Sequence, residues 1–592
     1  MCGISGIIKK DNSVAVEEIE KINNIANHRG PDGEGYFLEN NLAFGHRRLS
    51  IIDLSDNGKQ PMSYLERYVI TFNGEIYNYV ELREELVSLG YKFKSKTDTE
   101  VILAAYDKWG EGCVNKFNGM WAFAILDKKE KIVFCSRDRF GVKPFYYFSN
   151  SKVFGFSSEI KQLLPLQEKN ILNSEEFLSY LIFGALNVSE ETFFNGIKKL
   201  PPSHNLVFNL NKFTYEIKKY YQLQEDFSRS FKDTFIDSVK LRLRSDVKVG
   251  TSLSGGLDSS LVAAVASKFY KNSTEKFMAI HGKSLEKKTD ESRFANLLAN
   301  YSDLDIHTVE PNPTDFIQNI DEVILTQEEP FLSPSIFMQY FVFKKAKELG
   351  LKVMLDGQGA DEILLGYKHY FPRLLKLYLK NYGTLRFLKE YIGTLKNNKD
   401  GIPIVPIKRI FKKIFSNRIG DSQLLINPHD FPKYKDFRKK LITTNLFEFH
   451  HKEIFLSSLP ALLRYADKNS MRHSVEARLP FMDYRVIETS VSMNLDKKFV
   501  SGWTKFPIRQ SFDSDLPRKI AWRKCKLGFA APDKTWLRSY ENEMEEEVFN
   551  SPLLLSFFNK AQMKEIYNSK NLNQRWRFFN AARWSNLFNI TY

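Results

Sequence analysis

The 592-residue sequence contains few cysteines and no long apolar run. Its 4 cysteines include no Cys-x-x-Cys pair, so neither a disulfide framework nor a zinc site is predicted. No run of about 18 apolar residues is present, so we expect no membrane-spanning helix. The N-terminus lacks the pattern of a signal peptide, because the polar stretch KKDNS interrupts the apolar start. We therefore predict a cytoplasmic protein.

The length and composition are those of a folded protein with more than one domain. A chain of 592 residues is too long for a single hydrophobic core, and two large domains are expected. The apolar content of 43% and the charged content of 27% are typical of globular rather than disordered chains.

The net charge of +15 is unevenly distributed. Residues 371–450 carry 17 Lys and Arg against 6 Asp and Glu. Such a basic segment can bind nucleic acid or anionic lipid, but it is more often a solvated, lysine-rich face. No zinc-finger or RNA-binding aromatic motif accompanies it, so we expect no nucleic-acid partner. A non-catalytic protein that binds through this segment is the remote alternative.

The pattern of apolar residues changes along the chain. Residues 120–138 contain two apolar strands around a polar turn, which predicts a hairpin. Residues 97–110 have helical spacing that ends at Gly110. After about residue 230, strands alternate with long helices, which predicts a parallel sheet covered on both faces. From about residue 370 onward the pattern is mostly helical.

The second residue of the chain is Cys2. If Met1 is removed, the Cys2 thiol lies beside a free α-amino group with a pKa of about 7.7–8.0. A thiol with such a neighbouring base is an activated nucleophile. Taken alone, this short segment fits an accident of composition better, so the rest of the chain must decide between the two interpretations.

The segment SLSGGLDSS at 252–260 predicts a phosphate-binding loop. Apolar alternation from Val247 to Leu253 indicates a strand, and a Ser-Gly-Gly turn leads into a helix from about Ser259. The backbone N–H groups of such a turn and the helix N-terminus attract a phosphate. The Gly-Lys-Ser/Thr ending of loops for γ-phosphate transfer is missing. Asp258 could hold Mg²⁺ beside a bound polyphosphate.

Motifs in both halves of the chain resemble known families. The segment at 252–260 resembles the pyrophosphate-binding motif of ATP pyrophosphatases. Four segments together resemble class II glutamine amidotransferases: MCGISG at the start, HRGPDG at 28–33, GHRRLSIIDLS at 45–55 and FNGEIYN at 72–78. Both halves in this order resemble glutamine-dependent asparagine synthetases, and the match extends over most of the chain.

The resemblance implies an α/β fold with two domains. The first is an N-terminal nucleophile αββα sandwich at 2–210, a class II glutamine amidotransferase (glutaminase) domain. The second, at 211–592, is a doubly wound parallel-sheet domain of the adenine nucleotide α-hydrolase-like type, with a mostly helical C-terminal part. It would be an ATP-pyrophosphatase domain of the asparagine synthetase type, with a basic helical insert at about 371–450.

In the glutaminase half, the resemblance implies that Cys2 attacks the side-chain amide of glutamine. Ammonia is released, and water hydrolyses the resulting thioester. Asn73 and Gly74 match the family's oxyanion donors, a side-chain amide and a backbone N–H. The alternative for this segment is an Asn-Gly hairpin turn, which the combination with Cys2 disfavours.

The same resemblance implies how glutamine is held. Arg48 fits a clamp for its carboxylate, because a guanidinium binds a carboxylate through two hydrogen bonds. Glu75 and Asp98 fit the acidic groups that receive its α-ammonium. The glutamine-binding residues implied by the match are Arg48, Leu49, Ser50, Ile51, Ile52, Asn73, Gly74, Glu75 and Asp98.

The synthetase half is expected to adenylate an acceptor carboxylate with ATP, release pyrophosphate, and let ammonia displace AMP. Asp258 and Asp361 match the family's Mg²⁺-holding aspartates, so ATP and Mg²⁺ are the implied cofactors. Lys526 resembles a catalytic lysine near the reacting phosphate, with Lys524 or a plain surface lysine as alternatives. The implied ATP and pyrophosphate contacts are Leu253, Ser254, Gly255, Gly256, Asp258, Ser259, Ile280, Asp356 and Gly357.

One departure from the family pattern leaves the acceptor open. Gln358 stands where the family has a glutamate thought to assist amination, and a glutamine cannot act as a general base. Either the role has moved, to Asp356 or Glu362, or the acceptor differs. The leading prediction is amidation of aspartate to asparagine. The alternative is a uronic acid or similar surface-polysaccharide precursor, which the basic insert could help to recognise.

Three further expectations come from the resemblance. The motif SVEARLPFMD at 474–483 is expected either to shape the pocket or to form a structural ion pair. An internal tunnel would carry ammonia between the two sites. A homodimer is plausible, although no residue of the sequence demonstrates it.

Overall fold

The computed structural model describes residues 2–270, 275–397, 432–524 and 531–592. Strands dominate the N-terminal part of these ranges, and helices dominate the part beyond residue 313. None of the helices in the described ranges combines the length and apolarity needed to cross a membrane.

Twelve strands form two sheets in the N-terminal part. They are β1 (Gly3–Lys9), β2 (Gly33–Glu39), β3 (Leu42–Arg48), β4 (Met62–Tyr64), β5 (Tyr68–Ile76), β6 (Gly119–Asp127), β7 (Ile132–Arg137), β8 (Tyr146–Ser149), β9 (Val153–Ser157), β10 (Ile197–Lys199), β11 (His204–Asn209) and β12 (Thr214–Lys219). The first sheet has the order β10-β8-β9-β1-β3-β2 and the second β12-β11-β7-β6-β5-β4. Neighbouring strands in both sheets run antiparallel.

The two sheets pack face to face between helices. Because side chains alternate along a strand, one face of each sheet enters a shared core that includes Phe44 and Val69. Ile22 covers the outer face of the first sheet, and Leu86 and Ile102 cover that of the second. The helices of this part are α1 (Val16–Ile25), α2 (Tyr79–Ser88), α3 (Asp98–Trp109), α4 (Ile160–Leu163) and α5 (Ser174–Phe183).

The αββα sandwich predicted for the N-terminal half is confirmed, and so are two of its local elements. β6 and β7 pair as the expected hairpin. The helix α3 begins after Thr97, whose side chain accepts the backbone N–H of Glu100, and ends at Gly110 with φ 57°. A side-chain cap and a glycine at positive φ are the usual limits of a helix, so local sequence decides both ends.

The second half contains the predicted parallel sheet. Its strands are β13 (Val249–Ser252), β14 (Met278–Gly282), β15 (Asp305–Val309), β16 (Val353–Leu355) and β17 (Glu476–Arg478). Their order is β15-β14-β13-β16-β17, and every pair is parallel. The strand order reverses at β13, and ligands bind outside the carboxyl ends of strands at such a point.

Helices surround this sheet and continue to the C-terminus, as the fold prediction requires. They are α6 (Phe231–Arg242), α7 (Leu257–Phe269), α8 (Ser292–Tyr301), α9 (Pro313–Gln318), α10 (Ile320–Gln327), α11 (Ile336–Glu348), α12 (Ala360–Leu364), α13 (Phe371–Asn397), α14 (Pro432–Lys440), α15 (Leu446–Phe455), α16 (Ser458–Arg472), α17 (Tyr484–Ser492), α18 (Leu495–Lys498), α19 (Phe506–Ser511), α20 (Arg518–Ala521), α21 (Asp533–Arg538), α22 (Glu541–Asn550), α23 (Pro552–Phe557), α24 (Lys560–Asn568) and α25 (Leu572–Leu587).

The predicted basic insert is described only in part. α13 consists of two helices that meet at Gly383, where φ is 79°. Residues 398–431 lie outside the described residues, and α14 and the first half of α15 complete the segment. Its predicted role stays a prediction.

Buried charges join the two halves. Arg29 Nη1 lies 2.9 Å from Asp467 Oδ2 and 3.1 Å from Glu159 Oε1. Lys143 Nζ lies 3.4 Å from Asp467 Oδ1. All four side chains are buried. If the halves moved apart, buried charges would be left without a counter-charge, which is costly. The network therefore holds the two halves in one arrangement.

Candidate active sites

Cys2 lies directly before β1 and is only 8% exposed. Its backbone N–H donates to Asn73 Oδ1 at 3.1 Å, and its carbonyl accepts from Arg29 Nε at 3.0 Å. Burial raises the pKa of the Cys2 thiol above its ordinary value, while the N–H of Leu49 and the charge of Arg48 oppose the shift. The resting sulfur is therefore protonated and needs a base before it can attack.

The two predicted oxyanion donors, Asn73 and Gly74, belong to β5 and lie next to Cys2. Asn73 is fully buried, and its Nδ2 has no hydrogen-bond partner among the described residues. A buried amide donor without a partner is costly unless a ligand uses it. Gly74 leaves no room for a side chain, because a Cβ there would lie 2.1 Å from the Met120 carbonyl oxygen. Gly74 also lines a small cavity beside Cys2, so its backbone can approach a ligand there.

Arg48 lies at the end of β3 and on the wall of this cavity. Its Nη1 donates to the Ser55 carbonyl at 2.8 Å, and its Nη2 donates to the Asp53 carbonyl. Gly58 packs against the guanidinium, and a Cβ at Gly58 would lie 2.1 Å from Nη2. This loop therefore holds the predicted carboxylate clamp in place. Gly58 was not found from the sequence, because a single glycine carries no motif.

The two predicted acidic residues meet in the same cavity. Asp98 begins α3, and its Oδ2 accepts the backbone N–H of Ile76 at 2.9 Å. Burial raises the pKa of Asp98 to about 6. Burial and the neighbouring Asp98 raise the pKa of Glu75 well above its ordinary value, while Arg478 counteracts this. An ammonium group placed between the two would favour their charged forms.

The cavity brings together most of the predicted glutaminase residues. Its walls include Cys2, Arg48, Leu49, Ile51, Ile52, Gly74, Glu75 and Asp98. Asn73 reaches Cys2 through the hydrogen bond described above, whereas Ser50 does not line the cavity and donates its N–H to Asp32 Oδ2 at 2.7 Å. Sequence analysis missed other wall residues, namely Gly58, Gln60, Phe72, Thr97 and Thr99.

The second site is a cavity of about 350 Å³ at the carboxyl ends of β13, β14 and β16. The glycine loop follows β13, and α7 begins at Leu257. Gly255 has φ 81°, and a Cβ there would meet the Glu291 carbonyl oxygen at 2.9 Å. The hydroxyls of Ser254 and Ser259 lie 2.9 Å apart across the turn. The loop and the N-terminus of a 13-residue helix thus face one cavity, as a phosphate site requires.

Lys505 lies between the two predicted Mg²⁺ aspartates. Its Nζ contacts Asp258 and lies 2.6 Å from Asp361 Oδ1. Burial alone would lower the pKa of Lys505, but these carboxylates raise it above its ordinary value. The ammonium is therefore charged at neutral pH. Lys505 was missed from the sequence, because no recognisable motif surrounds it.

The residues of this cluster fit a bound Mg²⁺ ion. Asp258 Oδ1 is buried and has no hydrogen-bond partner among the described residues. Mg²⁺ is usually held by one or two carboxylates together with substrate phosphates. The described residues contain no group of three or more acidic, histidine or cysteine side chains that could hold a metal ion by themselves.

The segment after β16 closes the second cavity. A Cβ at Gly357 would lie 2.8 Å from the Ser259 N–H nitrogen, so the two loops touch through their backbones. Burial raises the pKa of Asp356 to about 6, although the N–H groups of Gln358 and Gly357 oppose the shift. Gln358 Oε1 is buried and has no hydrogen-bond partner among the described residues. Both side chains line the cavity.

The structure places the remaining predicted synthetase residues as follows. Leu253 and Ile280 line the cavity, and the Leu253 N–H donates to the Ile280 carbonyl at 2.9 Å. Gly255 belongs to the turn but not to the cavity wall. Lys526 lies outside the described residues, whereas its alternative, Lys524, lines the cavity.

Comparison with known proteins identifies the family. A model described as a glutamine amidotransferase domain matches residues 1–221, and a model described as asparagine synthase matches residues 230–586. Glutamine-hydrolyzing asparagine synthetase 1 of Bacillus subtilis is 32% identical over 580 residues, which cover 93% of this chain and 89% of that protein. A putative asparagine synthetase 2 of Methanocaldococcus jannaschii is 38% identical over 436 residues, or 67% of this chain and 83% of that protein.

A solved structure, the glutamine PRPP amidotransferase of B. subtilis, shares 15% identity over 53% of this chain and 82% of that chain. Its TM-score is 0.29. Because both models match in order and nearly the whole chain aligns with that synthetase, the chain belongs to the glutamine-hydrolysing asparagine synthetase family of ATP-dependent carbon–nitrogen ligases.

Proposed function

We propose that this protein is an asparagine synthase that uses glutamine as its nitrogen donor and L-aspartate as its acceptor. In this proposal, residues 2–210 hydrolyse glutamine and residues 211–592 form the amide. The observation that carries it is the meeting of Cys2, Arg48 and an acidic pair around one cavity. Family membership supports the same assignment.

Glutamine hydrolysis requires a nucleophile, a base and stabilisation of an oxyanion. After removal of Met1, the α-amino group of Cys2 takes the proton from its thiol. The sulfur attacks the side-chain carbonyl carbon of glutamine, and Asn73 Nδ2 and the Gly74 N–H stabilise the oxygen. Ammonia leaves with the transferred proton, and water then hydrolyses the thioester to glutamate. Arg48 holds the α-carboxylate of the substrate throughout.

Amide formation requires activation of the acceptor carboxylate. One carboxylate oxygen attacks the α-phosphorus of ATP, and pyrophosphate leaves into the loop that contains Ser254 and Ser259. Lys505 stabilises the charge on that leaving group. A Mg²⁺ ion held by Asp258 and Asp361 would offset the same charge.

Ammonia then attacks the acyl-adenylate, and AMP leaves as the amide forms. The attacking nitrogen must lose a proton, which Gln358 cannot accept. Asp356 lines the same cavity, and its raised pKa of about 6 suits a proton acceptor near neutral pH. We propose Asp356 for this role.

One observation favours a second candidate, the same chemistry on a different carboxylate such as a uronic acid. Gln358 presents a neutral amide to the cavity, and its buried Oε1 lacks a partner among the described residues. A buried amide oxygen is satisfied by a hydroxyl or N–H donor on the ligand. Sugar hydroxyls supply such donors; the ammonium of aspartate is also a donor, but a neutral amide attracts that cation less than a glutamate at this position would.

An acceptor screen tests the two candidates. The full-length protein, with loss of Met1 verified by mass spectrometry, is mixed with ATP, Mg²⁺ and glutamine or ammonium, and pyrophosphate is measured. The panel contains L-aspartate, glucuronate and galacturonate, and the amide product is identified by chromatography. Aspartate-dependent pyrophosphate with asparagine as product supports the proposal. Pyrophosphate release with a uronic acid but not with aspartate supports the second candidate. If none of the carboxylates in the panel causes pyrophosphate release, both candidates are contradicted.

A further inference from the structure

Arg478 belongs to the parallel sheet of the second half, yet its side chain contacts Glu75, a wall residue of the glutamine cavity in the first half. It is fully buried at the end of β17. Its Nη2 lies 3.2 Å from Glu75 Oε2, and its Nε donates to Glu476. Its Nη1 donates to the carbonyls of Arg242, at 2.9 Å, and Arg244. Four acceptors therefore hold one guanidinium in a single orientation.

The backbone of the same residue supports the nucleotide cavity. β17 pairs with β16, with Leu355 opposite Arg478. The N–H of Asp356 donates to the Arg478 carbonyl at 2.9 Å. Asp356, Gly357 and Gln358 are the residues that close the nucleotide cavity. Arg478 and the segment Asp356–Gln358 are therefore joined directly through the backbone.

The Glu75 carboxylate depends on this arginine. Glu75 is buried and faces a second carboxylate, Asp98, and both effects disfavour its charged form. Glu476 adds a further negative charge, and Arg478 is the cation that compensates. Removal of Arg478 would raise the pKa of Glu75 further, so that the carboxylate would attract an ammonium group less strongly. Its second oxygen, Oε1, has no hydrogen-bond partner among the described residues and is available to a ligand.

We propose that Arg478 is a positioning residue for glutamine, supplied by the synthetase half, which orients Glu75 toward the α-ammonium of glutamine and links that site to the nucleotide-binding segment Asp356–Gln358. This inference rests on the proposed glutaminase function. It assigns the ion pair of the SVEAR segment a role in the first active site. It also makes the glutamine site incomplete without the second half of the chain.

The test uses the full-length variants Arg478→Gln and Arg478→Lys. Glutaminase activity is measured over a range of glutamine concentrations, with and without ATP and the acceptor found by the screen. We expect the KM for glutamine to rise at least about tenfold, as for loss of a charge-assisted contact, while kcat changes less than about threefold. Any stimulation of glutaminase by ATP and acceptor should disappear. Ammonia-dependent pyrophosphate release should stay within about twofold of wild type.

Arg485→Gln is the matched control. Arg485 pairs with Asp483 and Asp237, each at 2.8 Å, within the second half. This variant should leave the glutamine KM unchanged, although its stability falls. If Arg478→Gln does not fold, as judged by its melting temperature, Arg478→Lys carries the test.

Two results would overturn the inference. One is an unchanged glutamine KM in the Arg478 variants. The other is a parallel loss of glutaminase and ammonia-dependent activity, which would indicate a merely structural ion pair. A wild-type protein that never hydrolyses glutamine would instead refute the proposed function, so the two failures are distinguishable.

Discussion

Replacing Lys505 by methionine should separate the two activities. The methionine keeps the unbranched stem, one atom shorter, but removes the ammonium that contacts Asp258 and Asp361. Removing one preorganised donor to a developing charge costs about 2.7–4 kcal/mol, or about 10²–10³ in kcat. We therefore expect ammonia-dependent pyrophosphate release to fall about 100- to 1000-fold. The glutaminase reaction takes place in the other cavity and should change less than about twofold.

The same variant should alter the stability of the protein and its response to Mg²⁺. Asp258 and Asp361 are 16% and 18% exposed, so their repulsion is partly screened in the absence of Lys505. We expect the free energy of unfolding to fall by about 1–2 kcal/mol, since the two carboxylates are not fully buried. Millimolar Mg²⁺ should raise the melting temperature of the variant more than that of the wild type, because a cation again neutralises the carboxylates.

Lys497→Met is the control for this experiment, because Lys497 is an exposed lysine on α18. It should match the wild type in both activities. Pyrophosphate release within threefold of wild type in Lys505→Met would refute the assigned role. Equal losses in both reactions would refute it as well, since they would indicate general misfolding.

Three further predictions concern the glutamine cavity. Cys2→Ala should abolish glutamine hydrolysis while ammonia-dependent synthesis persists; loss of both, measured as glutamate and pyrophosphate, would contradict the division of labour. Asn73→Ala should lower glutaminase kcat about 10²–10³-fold, as for other side-chain oxyanion donors, and a change confined to KM would argue against that role. Because the pKa of Asp98 is raised to about 6, its carboxylate is neutral below that pH, so the glutamine KM should rise as pH falls from 7 to 5. In Asp98→Asn this dependence should weaken, and a wild-type KM that is flat over the range would contradict the assignment.

Local sequence was sufficient for much of the fold. The hairpin of β6 and β7 and the helix α3 follow from short-range alternation, a threonine cap and Gly110. The glycine loop was recognised because strand, turn and helix are consecutive in sequence, and its helix begins two residues earlier than predicted, at Leu257.

Residues that act across long sequence separations could not be predicted in this way. Lys505 contacts Asp258 from 247 positions away, and Arg478 contacts Glu75 from 403 positions away. The sequence around Lys505 or Arg478 contains no pattern that identifies the partner. Each contact forms only when the sheet and the two halves have assembled. The resemblance pointed to the segment around Arg478 but not to its contact with Glu75 in the first half.

The buried pairing of Arg29 with Asp467 has a consequence for synthesis on the ribosome. The two residues are 438 positions apart in the chain. At about 5–20 residues per second, about 20–90 s pass between their translation. During that interval the nascent N-terminal half exposes an arginine whose final surroundings do not yet exist. We expect this half to fold around its own core with Arg29 paired to Glu159 alone, and to complete the buried charge network only when Asp467 emerges from the exit tunnel.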